Sequence, residues 1–203
     1  MYRIVSDSAT VSLAASEIDT ARLSDAKTVR RVPPVMPNVR VKVFDEFIEC
    51  VDPNWLTAVA ETAFAVEGSE TEGLTTVVIA NDQTVSELNA EYRGLDTTTD
   101  VLSFSNVHSG TYYGADTRDI DEFHFVLPPC HQPEVGEVII SLQQAERQAI
   151  EAGHTLGNEV AALVAHGIFH LLGYDHEDES DAVVMQAIEV EAREEMRRTG
   201  LVE

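Results

Sequence analysis

One stretch decides the fold of this chain: Val164-Ala165-His166-Gly167-Ile168-Phe169-His170-Leu171-Leu172-Gly173-Tyr174-Asp175-His176. Written as a helix, it carries His166 and His170 at positions i and i+4, so both imidazoles share one face, roughly 5–6 Å apart at Cβ. The residues around them are apolar on nearly every side, which is typical of a buried helix. Gly173 is predicted to end the helix, because glycine easily adopts the left-handed conformation of a helix exit.

The turn after Gly173 is predicted to bring a third histidine, His176, back over the first two. Three neutral imidazole nitrogens on a helix and a turn suit tetrahedral Zn²⁺ with one position left for water. For His166 and His170 alone, the alternative is a pair of hydrogen-bonded core histidines that bind nothing. The third histidine favours the metal, because three buried imidazoles without an ion would each need a hydrogen-bond partner. We therefore predict a catalytic type of metal site with an open position.

The segment from His166 to His176, HGIFHLLGYDH, resembles the H-G-x-x-H-x-x-G-[YF]-D-H signature of the YbeY family. Members of that family are metal-dependent endoribonucleases, specific for single strands, that mature bacterial ribosomal RNA. The resemblance implies that His166, His170 and His176 bind one zinc ion. It also separates the chain from zinc peptidases, whose H-E-x-x-H motif carries the general base at the position that Gly167 occupies here.

A second stretch, LNAEYRGLDTTTDVLSF from Leu88 to Phe104, resembles another signature of the family, L-N-x-x-[YF]-R-x-x-D-x-x-T-D-V-L-S-F. The resemblance implies that Arg93 is a catalytic residue. A guanidinium can hold a phosphodiester through two parallel hydrogen bonds and keeps its charge while doing so. Read without the resemblance, Arg93 fits a surface salt bridge as well. The family carries proline where this chain has Thr98, so the loop is expected to be less rigid.

Two carboxylates are candidates to support the metal ligands or to transfer a proton. Glu159 precedes His166 by two helical turns and falls, by helical phase, between His166 and His170. A first-turn glutamate that interacts favourably with the helix dipole explains Glu159 equally well. Asp175 directly precedes His176. The general base of the reaction is not identified by the sequence.

The chain is strongly acidic, with 36 Asp and Glu against 13 Lys and Arg, which gives a formal charge of −23 over 203 residues. This balance argues against a broad basic surface, although nucleic-acid binding usually depends on neutralised phosphates. The metal and a few arginines could form a local positive site, or the acidic surface could be an adaptation to high salt. Cys50 and Cys130 lack ligand spacing and fit a reducing cytosol. No segment predicts a signal peptide or a membrane span, so we expect a cytoplasmic protein.

The predicted organisation is a flexible N-terminal extension at 1–38 and one domain at 39–203 that contains a long loop, 106–134. That loop is either an irregular surface loop or a lid that contacts the substrate. Strands predicted near 39–45, 75–80, 100–105 and 135–141 alternate with helices, which predicts an α/β (α+β) domain of two layers around one sheet. The strand order cannot be read from the sequence. The resemblance implies a mixed four-stranded sheet packed with zincin-like helices. The helix that carries His166 and His170, called the metal helix below, is expected to be buried centrally.

The helix starts are predicted from N-cap residues. These are Asp52 before Pro53, Thr84 with Glu87, Ser141 with Gln144, Asn158 before the metal helix, and Ser180-Asp181 before the last helix.

The resemblance implies a single-strand-specific, metal-dependent endoribonuclease. Its expected roles are maturation of ribosomal RNA, at the 3′ end of the small-subunit rRNA, and ribosome quality control. The implied partners are single-stranded RNA and the ribosome or its small subunit, with no DNA and no membrane. The first alternative is a non-catalytic, ribosome-associated module that binds metal, which the acidic surface and the missing glutamate would favour. The second is another zinc hydrolase, such as a peptidase, which Gly167 argues against.

Overall fold

The computed structural model describes residues 3–5, 38–68, 71–107, 133–176 and 178–203. Most of the expected N-terminal extension and most of loop 106–134 fall outside these ranges, so the flexible character of the first and the possible lid function of the second remain predictions. Within the described ranges, no helix combines the length and the apolar character that a transmembrane span requires.

The centre of the domain is one mixed sheet. Its strands are β1 (Arg3–Val5), β2 (Asn38–Val43), β3 (Leu74–Ala80), β4 (Val101–Ser105) and β5 (Glu134–Ser141). They lie in the order β1-β4-β5-β3-β2. Strands β2, β3 and β5 are parallel, whereas β4 is antiparallel to both β5 and β1. The predicted mixed sheet and its four predicted strands are confirmed. The structure adds a fifth strand, β1, which lies inside the expected N-terminal extension. Three residues are too few to give a periodic signal in the sequence.

Five helices pack on this sheet. They are α1 (Pro53–Glu67), α2 (Asp82–Arg93), α3 (Leu142–Ala152), α4 (Leu156–Leu171) and α5 (Glu179–Arg198). Most of their apolar residues form one core cluster, in which α1, α3, α4 and α5 cover one face of the sheet. A smaller cluster packs α2 on the other face, against β3, β4 and β5. Ten residues of α4 are buried, and this helix contacts α1, α3, α5, β4 and β5. The predicted class and the central burial of the metal helix are confirmed. The prediction of two layers is wrong, because α2 covers the second face of the sheet.

The helix starts agree with the sequence in part. Asp52 and Ser141 cap α1 and α3 as predicted, each accepting a hydrogen bond from the backbone N–H two or three residues later. For α2 and α4 the prediction was three residues late, because the caps are Asn81 and Thr155. Both stretches offer a second residue with N-cap chemistry one turn earlier. Helix α5 likewise begins earlier than predicted, after Asp178.

Helix α4 approaches the sheet very closely at Gly167. A Cβ atom at this position would lie 2.5 Å from Cγ1 of Val138 and 3.0 Å from Oγ of Ser103. About one helical turn after Gly167, the Ser105 hydroxyl donates a hydrogen bond to the carbonyl oxygen of Leu171. These contacts fix the rotation of α4, so position 167 faces the sheet. Glycine stands there because the helix and the sheet leave no room for a side chain.

Candidate metal centre

Three histidines converge at the C-terminal end of α4. His166 and His170 come from the helix, and His176 comes from the segment that follows it. The ring centroids are 4.5 Å apart for His166 and His170, 5.1 Å for His170 and His176, and 5.7 Å for His166 and His176. One ring nitrogen of each residue lies within 4.8 Å of those of the other two. The structure thus brings together the three residues that the spacing singled out.

The turn that returns His176 to the helix is built from backbone hydrogen bonds. Gly173 has a φ of 94°, in the left-handed region that favours glycine. Its N–H donates to the carbonyl oxygen of His170, and the N–H of Tyr174 donates to that of Phe169. The N–H of His176 then donates to Oδ1 of Asp175, at 2.7 Å. Asp175 therefore supports the backbone of the third histidine.

The orientation of two of the rings is set by their Nδ1 atoms. Nδ1 of His166 lies 2.7 Å from Oε1 of Glu189, and Nδ1 of His170 lies 2.8 Å from the carbonyl oxygen of Tyr174. A carboxylate and a carbonyl only accept hydrogen bonds, so each Nδ1 must carry the proton and donate it. In a neutral ring, Nε2 then carries no proton and has a free lone pair.

The three Nε2 atoms fit a bound cation. Those of His166 and His170 are 3.0 Å apart, and two lone pairs at that distance repel each other unless a cation lies close to both. Nε2 of His176 is buried and has no hydrogen-bond partner among the described residues. An unsatisfied buried nitrogen costs roughly 1–3 kcal/mol. A metal ion removes both penalties, and neutral imidazole nitrogen is a preferred ligand of several transition metals.

The cluster is buried on one side and accessible on the other. His170 is 1% exposed, whereas the side chain of His166 keeps 13% of its surface exposed. Tyr174 holds the turn against α1 through a long hydrogen bond from its hydroxyl to Glu67, at 3.4 Å. Burial raises the pKa of this hydroxyl and the negative charge of Glu67 raises it further, so Tyr174 stays a protonated donor at neutral pH.

The role of Glu159 as an outer support for the metal stays a prediction, and the contact that the structure shows for this residue is a different one. Its carboxylate contacts Nε2 of His154, at 2.5 Å, at the start of α4. Seven residues separate Glu159 from His166, which is about 10 Å along a helix. The carboxylate that contacts His166 is Glu189 of α5, which no local pattern in the sequence indicated.

Arg93 is the last residue of α2 and lies on the opposite face of the sheet from α4. The preceding Tyr92 packs edge-on against Phe104 of β4, with ring centroids 5.2 Å apart. The next residue of β4, Ser105, reaches α4 on the other face. The C-terminal ends of α2 and α4 therefore both lie near the C-terminal end of β4, with the helices on opposite faces of the sheet.

Other residues of the second signature have structural roles. The Asn89 side chain donates to the carbonyl oxygen of Thr97, at 2.7 Å. Asp100 is 4% exposed and accepts hydrogen bonds from the N–H of Val101 and from the side chain of Gln148. These bonds hold the connection between α2 and β4 in place. Arg93, by contrast, is only partly buried at the end of its helix.

The fold and the three-histidine cluster together define a class: α/β proteins whose central helix carries ligands for a metal ion, as in metal-dependent hydrolases. Residues 48–197 match the family model of endoribonuclease YbeY. The chain belongs to the YbeY family, and the family predicted from the two signatures is confirmed.

Individual relatives agree with this assignment. The endoribonuclease YbeY of Heliobacterium modesticaldum is 43% identical over 129 residues, which cover 64% of this chain and 70% of the relative. The endoribonuclease YbeY of Dehalococcoides mccartyi strain BAV1 is 36% identical over 149 residues, which cover 73% and 90%. The solution structure of TM1509 from Thermotoga maritima is similar in fold, with a TM-score of 0.50 and 24% identity, over 77% of this chain and 87% of that one.

Proposed function

We propose that this protein is a zinc-dependent endoribonuclease that cuts single-stranded RNA. We further propose that it matures the 3′ end of small-subunit ribosomal RNA, and that it contributes to ribosome quality control in the cytoplasm. Membership of the family supports the endoribonuclease role. The observation that carries the proposal is the convergence of three histidines whose Nε2 atoms need a shared cation.

In this proposal His166, His170 and His176 hold the ion. A zinc ion with three protein ligands supplies a Lewis acid that polarises a phosphoryl oxygen and makes water a better nucleophile. The cluster contains three candidate ligands within the described ranges, which favours a catalytic site over a structural site with four protein ligands. Asp175 keeps His176 in place through its backbone N–H.

Arg93 is proposed to hold an RNA phosphate and to stabilise the negative charge that develops during cleavage. In support, the neighbouring Tyr92 packs on Phe104 of β4, and the next residue of that strand, Ser105, contacts the C-terminal end of α4. An RNA strand that passes this end of the sheet can contact both faces. The close approach of Gly167 to Val138 supports the rejection of a peptidase mechanism, since a glutamate at that position has no space.

The direct test is a cleavage assay on matched single-stranded and double-stranded RNA, with and without a metal chelator. We expect cleavage of the single strand, loss of cleavage on chelation while circular dichroism shows a folded protein, and recovery when zinc is returned. Cleavage that continues in the chelated protein would contradict the catalytic metal. A zinc-loaded protein that binds the small ribosomal subunit but cuts no RNA would support the non-catalytic module instead.

A further inference from the structure

Glu189 occupies an inward position on α5. Met185, Ala192 and Met196 lie four residues before it, three after it and seven after it, so all four side chains share one face of the helix. The three neighbours are 0–2% exposed and belong to the main core cluster. Glu189 itself is only partly buried, and a hydrogen-bond partner offsets the hydration that its carboxylate loses there. Its partner is Nδ1 of His166, at 2.7 Å.

The two helix ligands are held in different ways. Nδ1 of His170 donates to a backbone carbonyl, that of Tyr174, which no substitution of a side chain removes. Nδ1 of His166 donates to the side chain of Glu189, and this side chain is 31% exposed. The orientation of the His166 ring therefore depends on one replaceable group, which belongs to a different helix.

We propose that Glu189 is a positioning residue for the metal centre and acts through His166. This inference rests on the proposed function, because it takes the three histidines as ligands of a metal ion. By accepting a hydrogen bond from Nδ1–H, Glu189 fixes the tautomer in which Nε2 of His166 is unprotonated and faces the other two histidines, and it makes Nε2 a better ligand for a metal ion. Its negative charge also offsets part of the charge of a divalent ion, which the three neutral imidazoles do not.

The contact also connects α5 to the site. Helix α5 begins only a few residues after His176, and its inward face is anchored by Met185. The Glu189 carboxylate thus connects α5, which follows His176 in the chain, to α4, which precedes it. A structural ion pair alone would change the stability of the protein, whereas a positioning role changes the affinity for metal.

The test compares zinc affinity in the full chain for the wild type and for Glu189→Gln, Glu189→Ala and Glu191→Gln. Glu191 lies on the same helix and is exposed, so its substitution controls for the loss of one acidic charge from α5. Metal is removed from each protein, and Zn²⁺ is titrated in competition with a chromophoric chelator. Replacing zinc with Co²⁺ reports the geometry of the centre through its visible absorption.

We expect Glu189→Ala to bind zinc about 10–100-fold more weakly than the wild type and to shift the Co²⁺ bands. Glu189→Gln is expected to lose less affinity, since its amide oxygen still accepts the Nδ1 hydrogen bond but carries no charge. Glu191→Gln should match the wild type. Circular dichroism of the metal-free proteins checks the fold, and the isosteric Glu189→Gln keeps the test valid if Glu189→Ala is unstable.

Two failures can be told apart. If the wild type binds zinc tightly and both Glu189 variants bind it equally well with unchanged Co²⁺ spectra, the role of Glu189 is refuted and the metal centre stands. If the wild type binds no zinc, both the metal centre and the role of Glu189 are refuted.

Discussion

Arg93 is the residue on which the proposed contact with RNA depends. We expect Arg93→Ala to bind zinc as the wild type does and to lose about 100-fold or more of kcat/KM on single-stranded RNA, because a charged donor to the reacting phosphate is lost. Arg93→Lys keeps the charge but not the paired hydrogen bonds, and should recover only part of the rate. Metal content and initial rates measure the two effects separately.

The matched control for Arg93 is Arg193→Ala, because Arg193 is an exposed arginine on α5. Its removal changes the net charge by the same amount and should leave cleavage unchanged. Arg93→Ala that cuts RNA at the wild-type rate would remove Arg93 from the mechanism.

Whether the sequence could predict a contact between two residues depended on the distance between them along the chain. His166 and His170 share a face because helical geometry fixes the i, i+4 separation, and His176 follows through one glycine turn. Glu189 lies thirteen residues beyond His176, so its contact with His166 depends on how α5 packs against α4. The sequence pattern carries no information on that packing.

At the scale of elements, the packing of α4 on β5 depends on Gly167. We expect Gly167→Ala to lower the free energy of unfolding by roughly 1–3 kcal/mol, because its methyl group must displace Val138 or move the helix. Gly157→Ala is the matched control in the same helix. A Cβ there meets no atom closer than 3.9 Å, so the change should be neutral or stabilising by about 1 kcal/mol. Urea unfolding of the metal-free proteins measures both, and equal stability of the two variants would contradict the close approach.

For some helices and strands, the local sequence pattern was enough to predict their positions. The starts of α1 and α3 were predicted from their caps, Asp52 and Ser141, and the four longer strands were predicted close to their observed positions. Two caps were placed one turn late because each stretch offered a second suitable residue. Strand β1 was missed because a strand of three residues, Arg3–Val5, has too little pattern of its own. Its pairing with β4 depends on partners about a hundred residues away.

At the scale of the whole molecule, the charge of −23 sets the conditions under which RNA can bind. If the metal and Arg93 provide most of the contact, few phosphates are neutralised. We expect log KM for single-stranded RNA to change with log salt with a slope of about 1.5 or less, as for one or two phosphates. A salt series of initial rates at constant zinc measures it. A slope of about 4 or more would indicate a broad basic surface and contradict this account.

The order of the strands is a property of the whole sheet. The sequence could not give the order β1-β4-β5-β3-β2, because short local patterns do not state which strands pair. The packing of the helices was equally out of reach, since α2 and α4 lie on opposite faces of the sheet.

The central claim is that His166, His170 and His176 hold one metal ion on which RNA cleavage depends. Native mass spectrometry of the wild type and of His170→Ala tests it most directly, with His154→Ala as a control that removes a histidine from outside the cluster. We predict one zinc ion per chain in the wild type and in His154→Ala, and none in His170→Ala, which should also lose cleavage. A His170→Ala protein that retains its metal and cuts RNA at the wild-type rate would contradict the account.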